Sequence, residues 1–222
     1  MKPYKVERIL VEHTLVGMFT DPLDPKYILG IYVYGSRVYG HTHPDSDLDY
    51  AIVISNEAAI WKDGMKQYVQ FESHDLDMHI MSENYYKQLL KEHDIMALEM
   101  FYAIEPIKKY EAEFTLNLAQ LRKSVSSIAN NSWVKAKKKI NLEDEDSKIG
   151  LKSLYHSFRI IDFGIQLARD GKIWRFDYRG PVHDSDRENI INPSWEYWNT
   201  KLKPEHNKRM SDFRILAPKE IK

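Results

Sequence analysis

Hydrophobic and polar positions change their period near the middle of the chain. Residues 5–18 place Val6, Ile9, Leu10 and Leu15 at helical spacing, which predicts an opening helix. The run Tyr27-Ile28-Leu29-Gly30-Ile31-Tyr32-Val33-Tyr34 is β-branched and aromatic, as a buried strand requires, and it ends at Gly35. A loop with Gly40, Pro44 and Asp45 follows, and then a second strand from about Leu48 to Ile54. The segment Phe71 to Met81 alternates, with Leu76, Met78 and Ile80 on one side and Asp75, Asp77 and His79 on the other. Helical spacing returns from Glu83 to Leu90 and from Ile95 to Tyr102, with Asp94 placed as an N-cap.

Past Pro106 the strand signals fade. A helical pattern runs through Phe114, Leu118, Leu121, Val125 and Ile128, and Asn130-Asn131-Ser132 are expected to break or end it. Lysines between Lys135 and Lys139 and acids between Glu143 and Asp146 precede another helix, from Ser147 to Asp170. Its apolar stripe is Leu151, Leu154, Phe158, Ile161, Ile165 and Ala168, and it stops near Gly171. Trp174 to Asn192 reads as loop, and Pro193 opens a short terminal helix. The pattern predicts an α/β (α+β) chain with an amino-terminal domain over residues 1–107 and a mainly helical domain over 108–222. There is no internal repeat and no low-complexity tract.

Composition narrows the class. A chain of 222 residues suffices for one large domain or two modest ones. With 32 Lys and Arg against 33 Asp and Glu, the protein as a whole does not coat a polyanion, so any basic surface is local. The lack of cysteine excludes disulfides, thiolate metal sites and cysteine nucleophiles, and fits a reducing compartment. The first residues are too charged for a signal peptide, and no apolar run approaches a membrane span. The expectation is a soluble, globular, cytoplasmic protein.

Candidate chemistry concentrates in Gly35-Ser36-Arg37-Val38-Tyr39-Gly40 and the following Ser46-Asp47-Leu48-Asp49-Tyr50. A glycine turn can bring backbone N–H groups against a phosphate. Aspartates at i and i+2 of a strand share a face, and carboxylates so placed can hold hard divalent cations over a triphosphate. Asp47 and Asp49 sit among Leu48, Tyr50, Ala51, Ile52 and Val53, where partly buried acids are rarely left without a role. The combination points to metal-assisted transfer of a nucleotidyl group; no P-loop motif competes with it.

A third acid would complete a two-metal clamp or take a proton from an attacking hydroxyl. Asp77 is the choice, with Asp75 on the same face as the alternative that a shift in register would select. His79 shares that face and reads as a packing or hydrogen-bonding residue. Ser36 offers its hydroxyl and N–H to a phosphate, while Arg37 either steadies the loop or touches phosphate. His41 and His43 read as solvent-facing loop residues. On the helix from Ser147 to Asp170, Lys148, Lys152, Arg159 and, less closely, His156 gather roughly opposite the apolar stripe. They form either a solvated surface or a cationic face for a triphosphate. The lysines at 135–139 either guide a nucleic-acid acceptor or form another solvated face.

The glycine-serine turn, Asp47-Leu48-Asp49 and a later strand acid resemble the DNA-polymerase-β-like nucleotidyltransferase superfamily. The fuller string, with Ala97-Leu98-Glu99-Met100 and Lys152-Ser153-Leu154-Tyr155-His156-Ser157-Phe158-Arg159, is most similar to the bacterial and phage branch of nucleotidyltransferases associated with RNA repair. The resemblance implies a small mixed β-sheet core flanked by helices, with a helical domain closing over the nucleotide. It implies an enzyme that uses two Mg²⁺ ions (Mn²⁺ being the alternative) to move a nucleoside monophosphate from a triphosphate, ATP included, to an acceptor hydroxyl with release of pyrophosphate. Asp47, Asp49 and Asp77 would be the catalytic and metal-holding acids. Gly35, Ser36, Arg37, Lys152, His156 and Arg159 would bind the nucleotide. RNA or tRNA is the acceptor the branch suggests; a small molecule such as an aminoglycoside, or a protein hydroxyl, fits the same core. A catalytically silent nucleotide-binding partner protein is the alternative from another class.

Overall fold

The computed structural model describes residues 24–40, 46–58, 67–72, 76–142, 145–178, 180–181 and 194–219. The expected opening helix, the loop with His41, His43, Pro44 and Asp45, Asp75, and Pro193 lie outside the described residues. The chain divides into two compact units: residues up to Lys91 with Met96–Phe114, and Glu92–Ile95 with Thr115 onward.

The first unit is built on four strands: β1 (Ile28–Tyr34), β2 (Leu48–Ile54), β3 (Tyr68–Glu72) and β4 (Leu76–Ser82). Their order is β1-β2-β4-β3, with β2 and β4 parallel and the other two pairings antiparallel, so the sheet is mixed. A 3-10 turn, Pro25–Tyr27, leads into β1 and is capped by the Asp24 carboxylate, which accepts from the Lys26 N–H at 3.0 Å. The alternating run from Phe71 to Met81 is not one strand. It is the closing half of a hairpin in which Phe71 pairs with Met78 and Glu72 with Asp77. Each strand alternates by itself, but the phase changes between them: Val69 and Phe71 face the core from β3, and Leu76, Met78 and Ile80 from β4.

One face of the sheet carries the core. Ile28, Ile31, Tyr50, Ile52, Ile54, Met78 and Ile80 are buried there with Ala58, and Val33, Val69, Phe71 and Ile107 close around them. The four-residue helix α1 (Ser36–Tyr39) follows β1, and α2 (Glu83–Lys91) and α3 (Ile95–Phe101) follow β4. The segment after Pro106 stays with this unit. Ile31 N–H donates to the Lys108 carbonyl at 2.8 Å, Lys108 N–H returns a bond to Ile31 at 3.1 Å, and Tyr110 N–H reaches the Tyr32 hydroxyl at 2.9 Å. Phe114 packs on Phe101 and Tyr102 here, and does not join the following helix as its spacing predicts.

The second unit contains α4 (Leu118–Ile140), α5 (Glu145–Asp170) and α6 (Trp195–Leu216). The α4 helix starts at an Asn117 cap and continues through Asn130-Asn131-Ser132 without a break. Leu121, Val125, Ala129, Ala136 and Ile140 keep a buried stripe on both sides of that polar stretch, while Asn130 and Asn131 stand exposed, so packing overrides their weak propensity. The terminal helix is long, not short. It tolerates Pro204 because Trp198, Leu202, His206, Met210 and Phe213 bury one continuous face. Arg122 of α4 donates to the carbonyls of Arg214 and Ala217 at 2.7 and 2.9 Å and so satisfies the carboxy end of α6.

The expected polar face of α5 holds at Lys148 and Lys152, which are exposed, but residues 153–168 are buried or half-buried as the helix packs with α4 and α6. Gly164 permits the approach: a Cβ there would stand 2.9 Å from Val125 Cγ1 and 3.0 Å from Phe213 Cε2. Gly171, at φ +71°, ends the helix where the sequence predicts.

Candidate active site

The polar end of the other sheet face brings together residues from all four strands. Tyr34 closes β1 opposite Asp49, Asp49 lies beside Asp77 in the parallel register of β2 and β4, and Gln70 of β3 faces His79. Parity explains the grouping. The positions between these residues (Val33, Tyr50, Met78, Phe71) all serve the core face, so their neighbours must point away from it.

Gly35 is the hinge of the site. It has φ +76° and ψ −156°, a region open essentially to glycine alone, and it caps α1 without a side-chain bond. A Cβ added there would run into the Asp49 carboxylate and stand 2.8 Å from Asp49 Cβ. Asp49 thus occupies the space that only glycine leaves. Asp47, exposed, precedes β2, and its backbone is held by Arg37: Nε donates to the Asp47 carbonyl at 3.3 Å and Nη2 to the Ser46 carbonyl at 3.0 Å. Of the two roles the sequence leaves open for Arg37, the structure shows it tethering the loop. Ser36 is the first residue of α1 and half-buried. On the far side of α1, the Tyr39 hydroxyl donates to the buried Glu99 carboxylate of α3, which anchors the turn to the unit's interior.

Asp77 is the most elaborately held acid. Gln70 Nε2 donates to Oδ1 at 3.1 Å, the Tyr34 hydroxyl donates to Oδ2 at 3.3 Å, and His79 Nε2 lies 3.5 Å from the same oxygen. The Tyr68 hydroxyl bonds His79 Nδ1, and the Tyr34 ring meets the imidazole edge-on at 5.2 Å. Burial, and then the nearby charges of Asp77 and Asp49, push the Tyr34 hydroxyl far above the ordinary tyrosine range, so it remains a donor. His79 is the hydrogen-bonding residue the sequence suggests. Tyr34, Gln70 and Tyr68 are missed there, and the register that sets Gln70 opposite His79 is not legible in the run, because its odd-even phase changes between β3 and β4.

Among the described residues, no three His, Cys, Asp or Glu side chains converge tightly enough to cage a metal by themselves. Asp49 and Asp77 are neighbours, whereas Asp47 lies outside that pair. Two carboxylates nevertheless suit Mg²⁺, which is commonly held by one or two acids together with substrate phosphates. The donors around Asp77 match the outer contacts that orient a metal-binding carboxylate.

In the helical unit, Lys152 is exposed on α5. Arg159, expected opposite the apolar stripe, is buried; its Nη2 lies 2.7 Å from His156 Nδ1 and its guanidinium stacks over Phe163. Burial, and then the charges of Arg159, Lys135 and Lys152, push the His156 imidazole down to about 3, so it is neutral and can accept from Arg159.

A mixed sheet whose parallel strands pair two acids beside a glycine-serine turn is a nucleotidyltransferase core. The sequence model of the nucleotidyltransferase domain matches residues 22–145, more than half of the 222, and the chain belongs to that family. Among solved structures, a nucleotidyltransferase-like protein from Exiguobacterium sibiricum is similar at 10% identity with a TM-score of 0.31, over 96% of this chain and 74% of that one. No curated protein sequence matches the chain. Among the described residues, no helix is long and apolar enough to cross a membrane.

Proposed function

We propose that the protein transfers a nucleoside monophosphate from a triphosphate to a hydroxyl of RNA or tRNA, in a reaction dependent on Mg²⁺ or its substitute Mn²⁺. The observation that carries this reading is the Asp49 carboxylate seated against Gly35 and directly beside Asp77. Asp49 and Asp77, joined by Asp47, would hold the divalent ions, which when bound offset charge on the phosphates. Gly35 and Ser36 bind the β- and γ-phosphates, and Arg37 keeps the Asp47 segment in place. Asp77 receives the proton of the acceptor hydroxyl. The hydroxyl oxygen bonds to the α-phosphorus as the bond from that phosphorus to the β-bridging oxygen breaks, and pyrophosphate leaves. For Lys152, His156 and Arg159 as nucleotide-binding residues, the support is the sequence resemblance alone.

The polyanionic acceptor is supported by how charge divides. The near-neutral chain splits into a first unit with 11 Lys and Arg against 17 Asp and Glu, and a helical unit with 21 against 16. A basic unit favours a phosphate backbone over a small molecule or a protein hydroxyl. The test is incubation with each labelled triphosphate, Mg²⁺ and total RNA, followed by measurement of pyrophosphate and of label on RNA. Asp49→Asn should abolish both while the protein stays folded, and RNA labelling should fall steeply as salt rises. Full activity of Asp49→Asn would refute the site. Salt-insensitive labelling of a small hydroxylated compound would refute the acceptor.

A further inference from the structure

We propose that His79 is a positioning residue for Asp77: held as the Nε2–H tautomer by Tyr68, it stands against the carboxylate that Tyr34 and Gln70 hydrogen-bond and helps to fix it beside Asp49. The proposal rests on the nucleotidyl-transfer reading above for its purpose, and on the sheet geometry for its parts.

A carboxylate on a strand turns freely about its last bond unless its oxygens are bound. At Asp77 they are: Gln70 from β3 donates to Oδ1 and Tyr34 from β1 to Oδ2, while His79 Nε2 of β4 itself stands 3.5 Å from Oδ2. Donors on both oxygens define the carboxylate plane, which no single bond would do. Asp49 stands in register with Asp77 and has its own orientation set by the Gly35 cradle. The two acids are therefore fixed relative to each other before any substrate arrives, and that preorganisation removes reorganisation from the reaction itself.

As a neutral imidazole, His79 contributes only in one tautomer. A neutral imidazole has one N–H and one lone pair. With Nε2 directed at Asp77 Oδ2, a lone pair there would face a carboxylate; the proton belongs on Nε2, and Nδ1 must accept. The Tyr68 hydroxyl bonds Nδ1 and supplies that donor. The Tyr34 and Tyr68 rings flank the imidazole at 5.2 and 5.8 Å and prevent it from flipping. Tyr68 and His79 belong to adjacent strands of one hairpin, whose pairing of Gln70 with His79 also delivers the donor to Oδ1.

The test uses the full chain labelled with ¹⁵N-histidine, the signal of His79 being identified by its loss in His79→Gln. In the intact protein that imidazole should show the Nε2–H tautomer, and Tyr68→Phe should convert it to a mixture. His79→Ala should lower kcat about 10- to 100-fold, with KM for the triphosphate changed less than threefold, and should weaken binding of Mn²⁺ alone, followed by paramagnetic resonance, about tenfold. His79→Gln, whose amide nitrogen stands where Nε2 does, should restore most of both. His79→Asn, whose nitrogen stands in the place of Nδ1, should not. An Nδ1–H tautomer in the intact protein, or a His79→Ala protein with unchanged kcat and Mn²⁺ affinity, overturns the proposal. Were the intact protein to transfer no nucleotide at all, the reading of its function would fall, while the tautomer and Mn²⁺ measurements would still decide the role of His79.

Discussion

Replacing Gly35 with alanine is expected to damage the first unit locally through two separable terms. The backbone term comes from φ +76° and ψ −156°, which an alanine can hold only at a cost of about 1–3 kcal/mol. The steric term comes from a Cβ that would overlap the Asp49 carboxylate and lie 2.8 Å from Asp49 Cβ; relieving such overpacking costs about another 1–3 kcal/mol. Together they amount to about 2–6 kcal/mol, or roughly a 30-fold or larger rise in local opening. Amide hydrogen exchange read on peptides spanning β1 and β2 measures this directly. Tryptophan fluorescence would report it poorly, because four of the five tryptophans, Trp133, Trp174, Trp195 and Trp198, belong to the helical unit. The two terms separate in a double-mutant cycle. Asp49→Ala removes the carboxylate, so in that background Gly35→Ala should cost at least about 1 kcal/mol less. Additivity within about 0.5 kcal/mol would refute the claim that the glycine exists to seat Asp49.

Three further outcomes are expected. The His206 imidazole, pushed down from 6.5 to about 4 chiefly by burial, takes up its proton more readily in the unfolded chain; its contribution is therefore intact above pH 6.5 and lost as pH falls toward 4. By pH 5 the loss should reach ~2 kcal/mol in urea unfolding followed by tryptophan fluorescence, and His206→Gln should flatten that dependence; an equal slope in the variant would refute it. Gly164→Ala gains up to about 1 kcal/mol of helix propensity but meets Val125 at 2.9 Å, so a net loss of urea stability is expected, reversed in a Val125→Ala background. Arg37→Ala frees the carbonyls of Ser46 and Asp47 at an exposed position, so kcat/KM should fall about tenfold with the melting temperature changed by no more than a few degrees; unchanged kinetics would remove Arg37 from the site.

What the sequence determines by itself here is whatever depends on neighbours along the chain. The apolar β-branched and aromatic runs set β1 and β2 to within a residue, the alternation around Asp77 assigns its face, and Gly35-Ser36 before paired acids marks the turn. What tertiary structure decided is everything set by partners distant in sequence. The parallel register of β2 and β4 places Asp77 beside Asp49, and no local pattern encodes a register between strands that are not consecutive. Packing against α4 and α6 buries most of α5 beyond Lys152, and with it Arg159, which a helical wheel assigns to a cationic face. The same packing carries α4 through its asparagines and α6 through Pro204, because a continuous buried stripe outweighs the local propensity of a few residues. The donors that hold Asp77 come from β1 and β3, and only the folded sheet brings them to one carboxylate of β4.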